Sequence, residues 1–255
     1  MTQIKCIPSP LESAIAPASC AVCGVRARAV CAHCGDEDLA GLEAIKFTRS
    51  FEAGQVVVWA DDRLDFVASV VSGVASLTQT LEDGRTQVVG LLLPSDFLGR
   101  PGRDRSPYTV TATVDTVLCC FRRRPFEELM RKNPRIPARL LEMTLEELDA
   151  AREWLLLLGR KSAREKIASF FAIIARREAA LRRHAAAGPT QFDLPLTREA
   201  MADYLGLTIE TVSRQVSALR RDGVIALEGT RRVTVPDFAR LVAESGDDED
   251  GGPLA

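Results

Sequence analysis

The stretch "LTREAMADYLGLTIETVSRQVSALRRDGVI", from Leu196 to Ile225, constrains the fold of this chain more than any other. Thr197 and Thr208 each precede a helical pattern of apolar residues, and a threonine hydroxyl in that position caps a helix by accepting a hydrogen bond from its first turn. Gly206 ends the first pattern and permits a tight turn, because glycine adopts positive φ without strain. The stretch therefore predicts two helices joined by a glycine turn, which is a helix-turn-helix.

The segment "VIALEGTRRVTV", from Val224 to Val235, comes directly after the second helix. Gly223 before it is suited to the C-terminal end of that helix. Two short β-prone runs flank Gly229 and Thr230, and this pattern predicts a two-stranded wing beside the helices.

The second helix has an apolar side and a polar side. Glu210, Ser213 and Arg214 are three and four residues apart, which places them on one face of the first helical turns. Those turns of a recognition helix reach base edges in the major groove. The apolar residues recur at helical spacing and are expected to be buried on the opposite side; they are Ile209, Val212, Val216 and Leu219.

The residue types on the polar face suit DNA reading. Arg214 can bind guanine O6 and N7 with two hydrogen bonds, and Glu210 can accept one from cytosine N4. The alternative is a surface ion pair between these two residues, worth about 0.3–0.5 kcal/mol. The segment from Gly159 to Ala243 has 15 Arg or Lys against 9 Asp or Glu, which favours a nucleic-acid partner. The further predicted DNA contacts are Thr208 and, for phosphates, Arg220, Arg221, Arg231 and Arg232.

Residues from Phe47 to Phe121 follow a different pattern, in which short runs rich in Val, Leu, Thr and Phe lie between turn signals. Asp83-Gly84 between two β-prone runs is a strong hairpin signal. Several short strands at this spacing predict an antiparallel sandwich or roll. No long helical pattern interrupts them, which argues against a dinucleotide-binding domain, and we predict that the chain is not an enzyme.

A long helical pattern without a breaker runs from Pro137 to about Gly159. Its apolar positions alternate three and four residues apart, and this spacing is typical of a helix that pairs with another helix. A helix that lies on the core of its own domain is the alternative. The predicted pairing residues, through which two copies of the chain would form a homodimer, are Leu141, Thr144, Leu148, Ala151, Leu155 and Leu158.

Four of the 7 cysteines lie in "CAVCGVRARAVCAHCG", from Cys20 to Gly35, as two C-x-x-C pairs. The chain has no apolar run of membrane-spanning length, and its first residues make a poor secretion signal, so we expect a cytoplasmic protein without a membrane partner. Because thiols stay reduced in the cytoplasm, the pairs indicate metal or redox chemistry rather than disulfides. One interpretation is a structural zinc site formed by Cys20, Cys23, Cys31 and Cys34.

With these features together, the chain resembles the CRP/FNR family of transcription regulators, and in particular its FNR-type oxygen sensors. The resemblance rests on "YLGLTIETVSRQVSALRRDGVI", the cysteine cluster, the β-roll, the long helix and "VLCCFRRRPFEEL", and it covers nearly the whole chain. It implies an α+β fold with an N-terminal antiparallel β-roll of the cyclic-nucleotide-binding jelly-roll type, a long dimerisation helix and a C-terminal winged helix-turn-helix. It also implies a homodimer on two-fold-symmetric double-stranded DNA that reads TTGAT-type half-sites with Glu210, Ser213 and Arg214 and recruits RNA polymerase.

The same resemblance implies an oxygen-labile 4Fe–4S cluster that must be intact for dimerisation and DNA binding. Such a cluster is held by four cysteine thiolates. The family pattern favours Cys20, Cys23 and Cys31 as the three ligands from the N-terminal arm. Cys34 is the alternative to Cys31, although it lengthens the last span between ligands beyond the family pattern.

The fourth cluster ligand has two candidates, Cys119 and Cys120, at the end of a β-prone run. Neighbouring side chains of a strand face opposite ways, so only one of the two joins the cluster easily. The family ligand is followed by one variable residue and then an apolar one. This resemblance favours Cys119, which Cys120 and Phe121 follow.

The stretch "FLGRPGRDRSPYTV", from Phe97 to Val110, departs from the phosphate-binding cassette of the cyclic-nucleotide members of the family. Gly99 is followed by Arg100 and Pro101, without a glutamate that could hold a ribose. Arg105 also lies too close to Gly99 for the family spacing. We therefore expect no cAMP binding.

These patterns divide the chain into five segments. Residues 1–40 form an arm with the cysteine cluster, and residues 41–132 form the β-roll sensor domain. Residues 133–160 form the dimerisation helix, and residues 161–241 form the winged helix-turn-helix. Residues 242–255 form an acidic tail that we expect to be disordered.

Overall fold

A computed structural model describes residues 19–181 and 189–247. Within these ranges the chain forms two units. The first unit contains the described residues up to Leu77 together with Leu91–Leu140, and the second contains Thr78–Gly90 together with the described residues from Leu141 onward.

The N-terminal part of the chain forms a β-roll preceded by two short helices. These are a 3-10 helix, Cys20–Val22, and α1, Asp36–Ile45. The strands are β1 (Lys46–Phe51), β2 (Val56–Val58), β3 (Phe66–Ser72), β4 (Ala75–Thr80), β5 (Thr86–Leu92), β6 (Phe97–Leu98), β7 (Thr109–Ala112) and β8 (Thr116–Arg122). They form two four-stranded sheets of order β1-β8-β3-β6 and β2-β7-β4-β5.

Strand β8 lies between β1 and β3 and pairs antiparallel with both. Leu118 and Cys120 point into the apolar core that both sheets form. Phe121 points to the opposite face, where its ring stacks at 5.5 Å on Phe126 of α2, Arg123–Lys132. Helix α1 packs on the same part of the chain through its buried Leu39 and Leu42. The two faces of β8 are therefore buried by different parts of the first unit.

The long helix α3 spans Arg135–Arg160, close to the predicted 133–160. Leu157 is buried, but the predicted pairing positions are not: Leu141 is 61% exposed, Leu148 45% and Leu155 71%. Thr144 and Ala151 are also exposed, and Leu158 is half-buried. The apolar seam therefore does not serve the core of its own chain.

The C-terminal part of the chain is a winged helix-turn-helix. Its elements are α4 (Ala163–Leu181), β9 (Thr190–Asp193), α5 (Arg198–Leu205), α6 (Ile209–Arg221), β10 (Ala226–Glu228), β11 (Arg232–Val235) and α7 (Phe238–Ser245). The wing strands β10 and β11 pair antiparallel as predicted. Strand β9 adds a third strand beside β11, and its Phe192 is buried there.

Two of the predicted segment boundaries fall inside helices. The boundary at residue 40 cuts α1, whose Leu42 is fully buried. The acidic tail is predicted from residue 242, but α7 continues to Ser245 with Val242 and Ser245 buried. The helix extends because its apolar face packs on the domain core, and the acidic composition of the following residues gives no sign of that contact. Residues 248–255 of the predicted tail lie outside the described part.

Within the described ranges no helix combines the length and the apolar character needed to cross a bilayer.

Candidate functional site

The turn between α5 and α6 is built as the sequence predicts. The Thr197 hydroxyl accepts a hydrogen bond from the backbone N–H of Ala200 at 3.1 Å, and the Thr208 hydroxyl accepts one from Thr211 at 3.3 Å. Gly206 follows α5 at φ 61°, in the left-handed region that glycine adopts without strain. These local features determine where α6 begins.

Burial divides α6 into two faces. Val212, Val216 and Leu219 are buried, as expected, but Ile209 is 44% exposed. Ile209 is the first residue of the helix and lies beyond the edge of the core. The prediction that it is buried is therefore wrong.

The other face of α6 presents Glu210, Ser213 and Arg214, which are all exposed. Among the described residues no ion pair joins Glu210 to Arg214, and the Arg214 guanidinium lies 3.5 Å from the Thr211 hydroxyl instead. Hydrogen bonds from the backbone N–H of Glu210 and from the Thr208 hydroxyl hold the pKa of the Glu210 carboxyl below its usual range. An ionised acceptor and a guanidinium donor are thus both open to a partner.

The arginines predicted to contact phosphates differ in their surroundings. Arg220, Arg221 and Arg231 are exposed at the end of α6 and in the wing. Arg232 binds Asp193 with two hydrogen bonds, of 3.2 and 3.4 Å, and joins β11 to β9. The exposed Arg232 guanidinium therefore has a partner within the domain, and so does that of Arg221, whose Nε lies 3.7 Å from Asp222 Oδ1.

Two further arginines hold the C-terminal end of α6, where Asp222 is the cap residue. Arg240 of α7 donates to the backbone carbonyl of Asp222 at 2.6 Å. Arg164 of α4 pairs with the Asp222 carboxylate at 2.8 Å and with Glu244 at 2.6 Å. These positioning residues escaped the sequence analysis because no local pattern connects α4, α6 and α7.

A recess in the first unit collects cysteines from two distant parts of the chain. Cys20, Cys23 and Cys31 line it from the arm, and Cys119 lines it from β8. Its described lining is completed by Leu42, Lys46, Thr48, Val71 and Phe121.

The neighbouring thiols of Cys119 and Cys120 lie on opposite faces of β8. Cys120 is fully buried in the core of the roll, whereas Cys119 faces the recess. The alternation of side chains along a strand separates them.

Cys34 is buried, but the described lining of the recess does not include it. The Arg26 guanidinium donates to its backbone carbonyl at 3.4 Å. Burial and the nearby Asp38 carboxylate raise the pKa of the Cys34 thiol to about 11. Of the two alternatives for the third arm thiol, Cys31 is the one that shares the recess with Cys119.

Burial raises the pKa of three of the recess thiols, those of Cys20, Cys31 and Cys119. It raises the pKa of Cys31 and of Cys119 to about 12, and the neighbouring cysteines add to both shifts. Burial also raises the pKa of Cys20, although the Lys46 ammonium opposes this rise. Binding a metal centre therefore requires the loss of thiol protons, which the positive charge of the metal favours.

The recess has features that fit a 4Fe–4S cluster. Four cysteine thiols are the donor set that such a cluster takes. Ser69, which faces Cys119 across the β3–β8 register, has a buried hydroxyl without a hydrogen-bond partner among the described residues. Also within the described part, no three His, Cys, Asp or Glu side chains are grouped as closely as a single metal ion needs.

The arm between the two C-x-x-C pairs contacts the beginning of α3. Arg139 Nη2 donates to the backbone carbonyl of Arg28 at 2.8 Å. Arg135 Nη1 lies 3.5 Å from the Asp38 carboxylate at the start of α1. The cysteine arm is therefore hydrogen-bonded to the helix whose later turns carry the exposed apolar seam.

The loop that replaces the phosphate cassette is joined to neighbouring parts of the first unit by arginine hydrogen bonds. Arg105 donates to the backbone carbonyl of Asp61, and Arg123 donates to that of Arg100 at 2.7 Å. Gly99 has φ 106°, and an added Cβ would lie 2.9 Å from Val67. That the roll does not bind cAMP stays a prediction.

A β-roll followed by a long helix and a winged helix-turn-helix with an exposed polar recognition face defines a DNA-binding regulator. Residues 165–244 match a Crp-like helix-turn-helix domain, and residues 48–133 match a cyclic nucleotide-binding domain. The fold class expected from the sequence is confirmed.

Known proteins resemble the chain over most of its length. It is 70% identical over 233 residues to the transcriptional activator protein FnrL of Cereibacter sphaeroides, which covers 91% of this chain and 94% of that protein. It is 37% identical over 208 residues to the nitrogen fixation regulation protein FixK of Bradyrhizobium diazoefficiens, covering 82% and 86%. The solved structure of FixK2 from Bradyrhizobium japonicum matches with a TM-score of 0.67 at 31% identity, over 77% of this chain and 96% of that one.

The chain belongs to the CRP/FNR family of transcription regulators. These relatives are regulators and not enzymes, which confirms the prediction made from the sequence.

Proposed function

We propose that the protein is an oxygen-responsive transcription activator that holds an oxygen-labile 4Fe–4S cluster on Cys20, Cys23, Cys31 and Cys119. One observation carries this proposal: three thiols of the arm and one thiol of β8 line a single recess. In its active form the protein is a homodimer in the cytoplasm, bound to a two-fold-symmetric DNA site. Activation is supported by the name of its relative FnrL, and RNA polymerase is the expected partner.

Bound in the recess, the cluster supplies a centre that oxygen destroys. The residues of the chain carry the consequence of its presence. The three arm thiolates and the Cys119 thiolate strap the arm to β8. The strapped arm presents the Arg28 carbonyl to Arg139, which lies two residues before Leu141 in α3. The position of the arm therefore affects how the first residues of the apolar seam are held.

The seam of α3 is the dimerisation surface in this proposal. Its leucines are largely exposed in the single chain, and a second copy of the helix would remove them from water. When the arm is released, Arg139 loses its acceptor and the seam loses its orientation. A single chain contacts one half-site only, so the affinity for the full site falls by the loss of avidity.

DNA reading is assigned to Glu210, Ser213 and Arg214, with Thr208, Arg220, Arg221 and Arg231 on the backbone. The support is that Glu210 and Arg214 do not pair with each other and both face solvent. Each good bidentate base contact contributes about 1–3 kcal/mol of discrimination.

Purification without air tests the proposal. The expected product is a brown dimer containing iron and sulfide, which bleaches and dissociates when air is admitted. A colourless protein that is indifferent to air and contains stoichiometric zinc would overturn it and support a structural zinc site on Cys20, Cys23, Cys31 and Cys34 instead.

A further inference from the structure

Lys46 brings a positive charge to the cysteine recess. It is the first residue of β1 and lines the recess together with Cys20, Cys23, Cys31 and Cys119. Its side chain is only 18% exposed, and its Nζ lies 3.1 Å from Glu43 Oε1. Lysines that are mostly removed from water are normally paired; Lys46 is paired with Glu43 at the edge of the recess that holds four thiols.

The recess carries a net negative charge once its thiols are deprotonated and hold a cluster. Four thiolates on a 4Fe–4S core leave a net negative charge in a partly buried site. The other described lining residues, Leu42, Thr48, Val71 and Phe121, are neutral. Lys46 is thus the cation that the described lining offers, and it shares that lining with Cys20 and Cys119.

We propose that Lys46 is the counter-cation of the cysteine set, donating a charge-assisted hydrogen bond to the Cys20 thiolate and thereby retarding loss of the cluster. This rests on the proposed function, which it deepens by naming a residue that determines cluster lifetime. Such hydrogen bonds are shorter and stronger than neutral ones. Hydrogen bonds to the cysteine sulfurs and net charge are among the properties that tune iron–sulfur centres.

Glu43 opposes Lys46 in this arrangement. Its carboxylate accepts a hydrogen bond from the Lys46 ammonium at 3.1 Å and so competes with the thiolates for that donor. An ammonium has three donors, so Lys46 serves Glu43 and a thiolate together, but with its charge shared. Removing the Glu43 charge is therefore expected to act in the opposite direction to removing the Lys46 charge.

The experiment compares four variants purified and reconstituted without air. Lys46→Met removes the charge and keeps a long side chain, and Lys46→Arg keeps the charge. Glu43→Gln removes the competing carboxylate. Lys132→Met is the matched control, because Lys132 is an exposed lysine at the end of α2. The readouts are the rate of absorbance loss in air, the rate of iron release to a chelator under nitrogen, and the thermal unfolding of the iron-free protein.

Lys46→Met is expected to lose its cluster roughly tenfold faster than the parent protein in both assays, since a hydrogen bond to a charged group contributes at least about 1.4 kcal/mol. Lys46→Arg should restore most of the lifetime, Glu43→Gln should lengthen it, and Lys132→Met should match the parent protein. Equal lifetimes for Lys46→Met and Lys132→Met would overturn the proposal, as would faster loss in Glu43→Gln.

If the proposed function is wrong, the experiment gives a different result. In that case the parent protein itself takes up no iron and sulfide, whatever residue stands at position 46. A Lys46→Met protein whose iron-free form unfolds at a clearly lower temperature, while Lys46→Arg fails to restore the cluster lifetime, assigns Lys46 to packing and also overturns its role as counter-cation.

Discussion

Cys119→Ala and Cys120→Ala are expected to have opposite effects, although the two residues are neighbours on one strand. Cys120 is 0% exposed in the core of the roll, so removing its sulfur leaves a small cavity. The loss of one methylene-sized group costs about 1 kcal/mol of unfolding free energy. For a domain of roughly 90 residues, such as the roll, that cost lowers Tm by about 4–8 °C. Cys119 is less completely buried and already borders the recess, so its truncation costs the iron-free protein less.

The assay measures two quantities on each variant. Iron and sulfide are determined after reconstitution without air, and Tm is determined on the iron-free protein. Cys119→Ala should bind no 4Fe–4S cluster and keep a Tm near that of the parent, whereas Cys120→Ala should keep the cluster and unfold earlier. Loss of the cluster in Cys120→Ala alone would refute the assignment of Cys119 as the fourth ligand.

Three further predictions concern the other sites. Arg214→Ala should weaken binding to the specific site by about 1–3 kcal/mol per half-site and relax the preference at one base pair, which a binding selection measures. An equal loss of affinity on all sequences would make Arg214 a phosphate contact. Cys31→Ala should abolish iron binding while Cys34→Ala preserves it, measured by iron content; the reverse pattern contradicts the membership of Cys31 in the ligand set. Leu148→Glu should shift the anaerobic protein from dimer to monomer in sedimentation. The Tm of the monomer should change little, because the Leu148 side chain is already half exposed. A persistent dimer would assign pairing to another surface.

The predictable parts of this molecule depend on interactions between residues close in the chain. Thr197 and Thr208 cap their helices because a hydroxyl three residues before an unpaired N–H is within reach in any context. The exposed seam of α3 was also readable, because spacing alone places its leucines on one face. Ile209 shows the limit of this reasoning, since helical spacing does not say where the core ends.

Contacts between distant residues escaped the sequence analysis. Strand β9 has a weak local signal and is ordered by pairing with β11, which follows it by about 40 residues. The last helix turn at Ser245 is buried against the domain although the sequence around it is acidic. Arg164 and Arg240 converge on the end of α6 from two other helices, and each is an ordinary basic residue in its own segment.

The cysteines show most clearly what each level decides. The sequence by itself determined that four closely spaced thiols precede a β-roll and that Cys119 and Cys120 face opposite ways, because spacing and strand alternation are local properties. Only the tertiary structure decided which thiols share a recess. The pairing of β8 with β1 and β3 brings Cys119 beneath the arm. The arm then places Cys31 in the recess with Cys119, while Cys34 lies outside the described lining. The same folding places Lys46 beside the thiols. Sequence order does not show this placement, because charges interact through space and not along the chain.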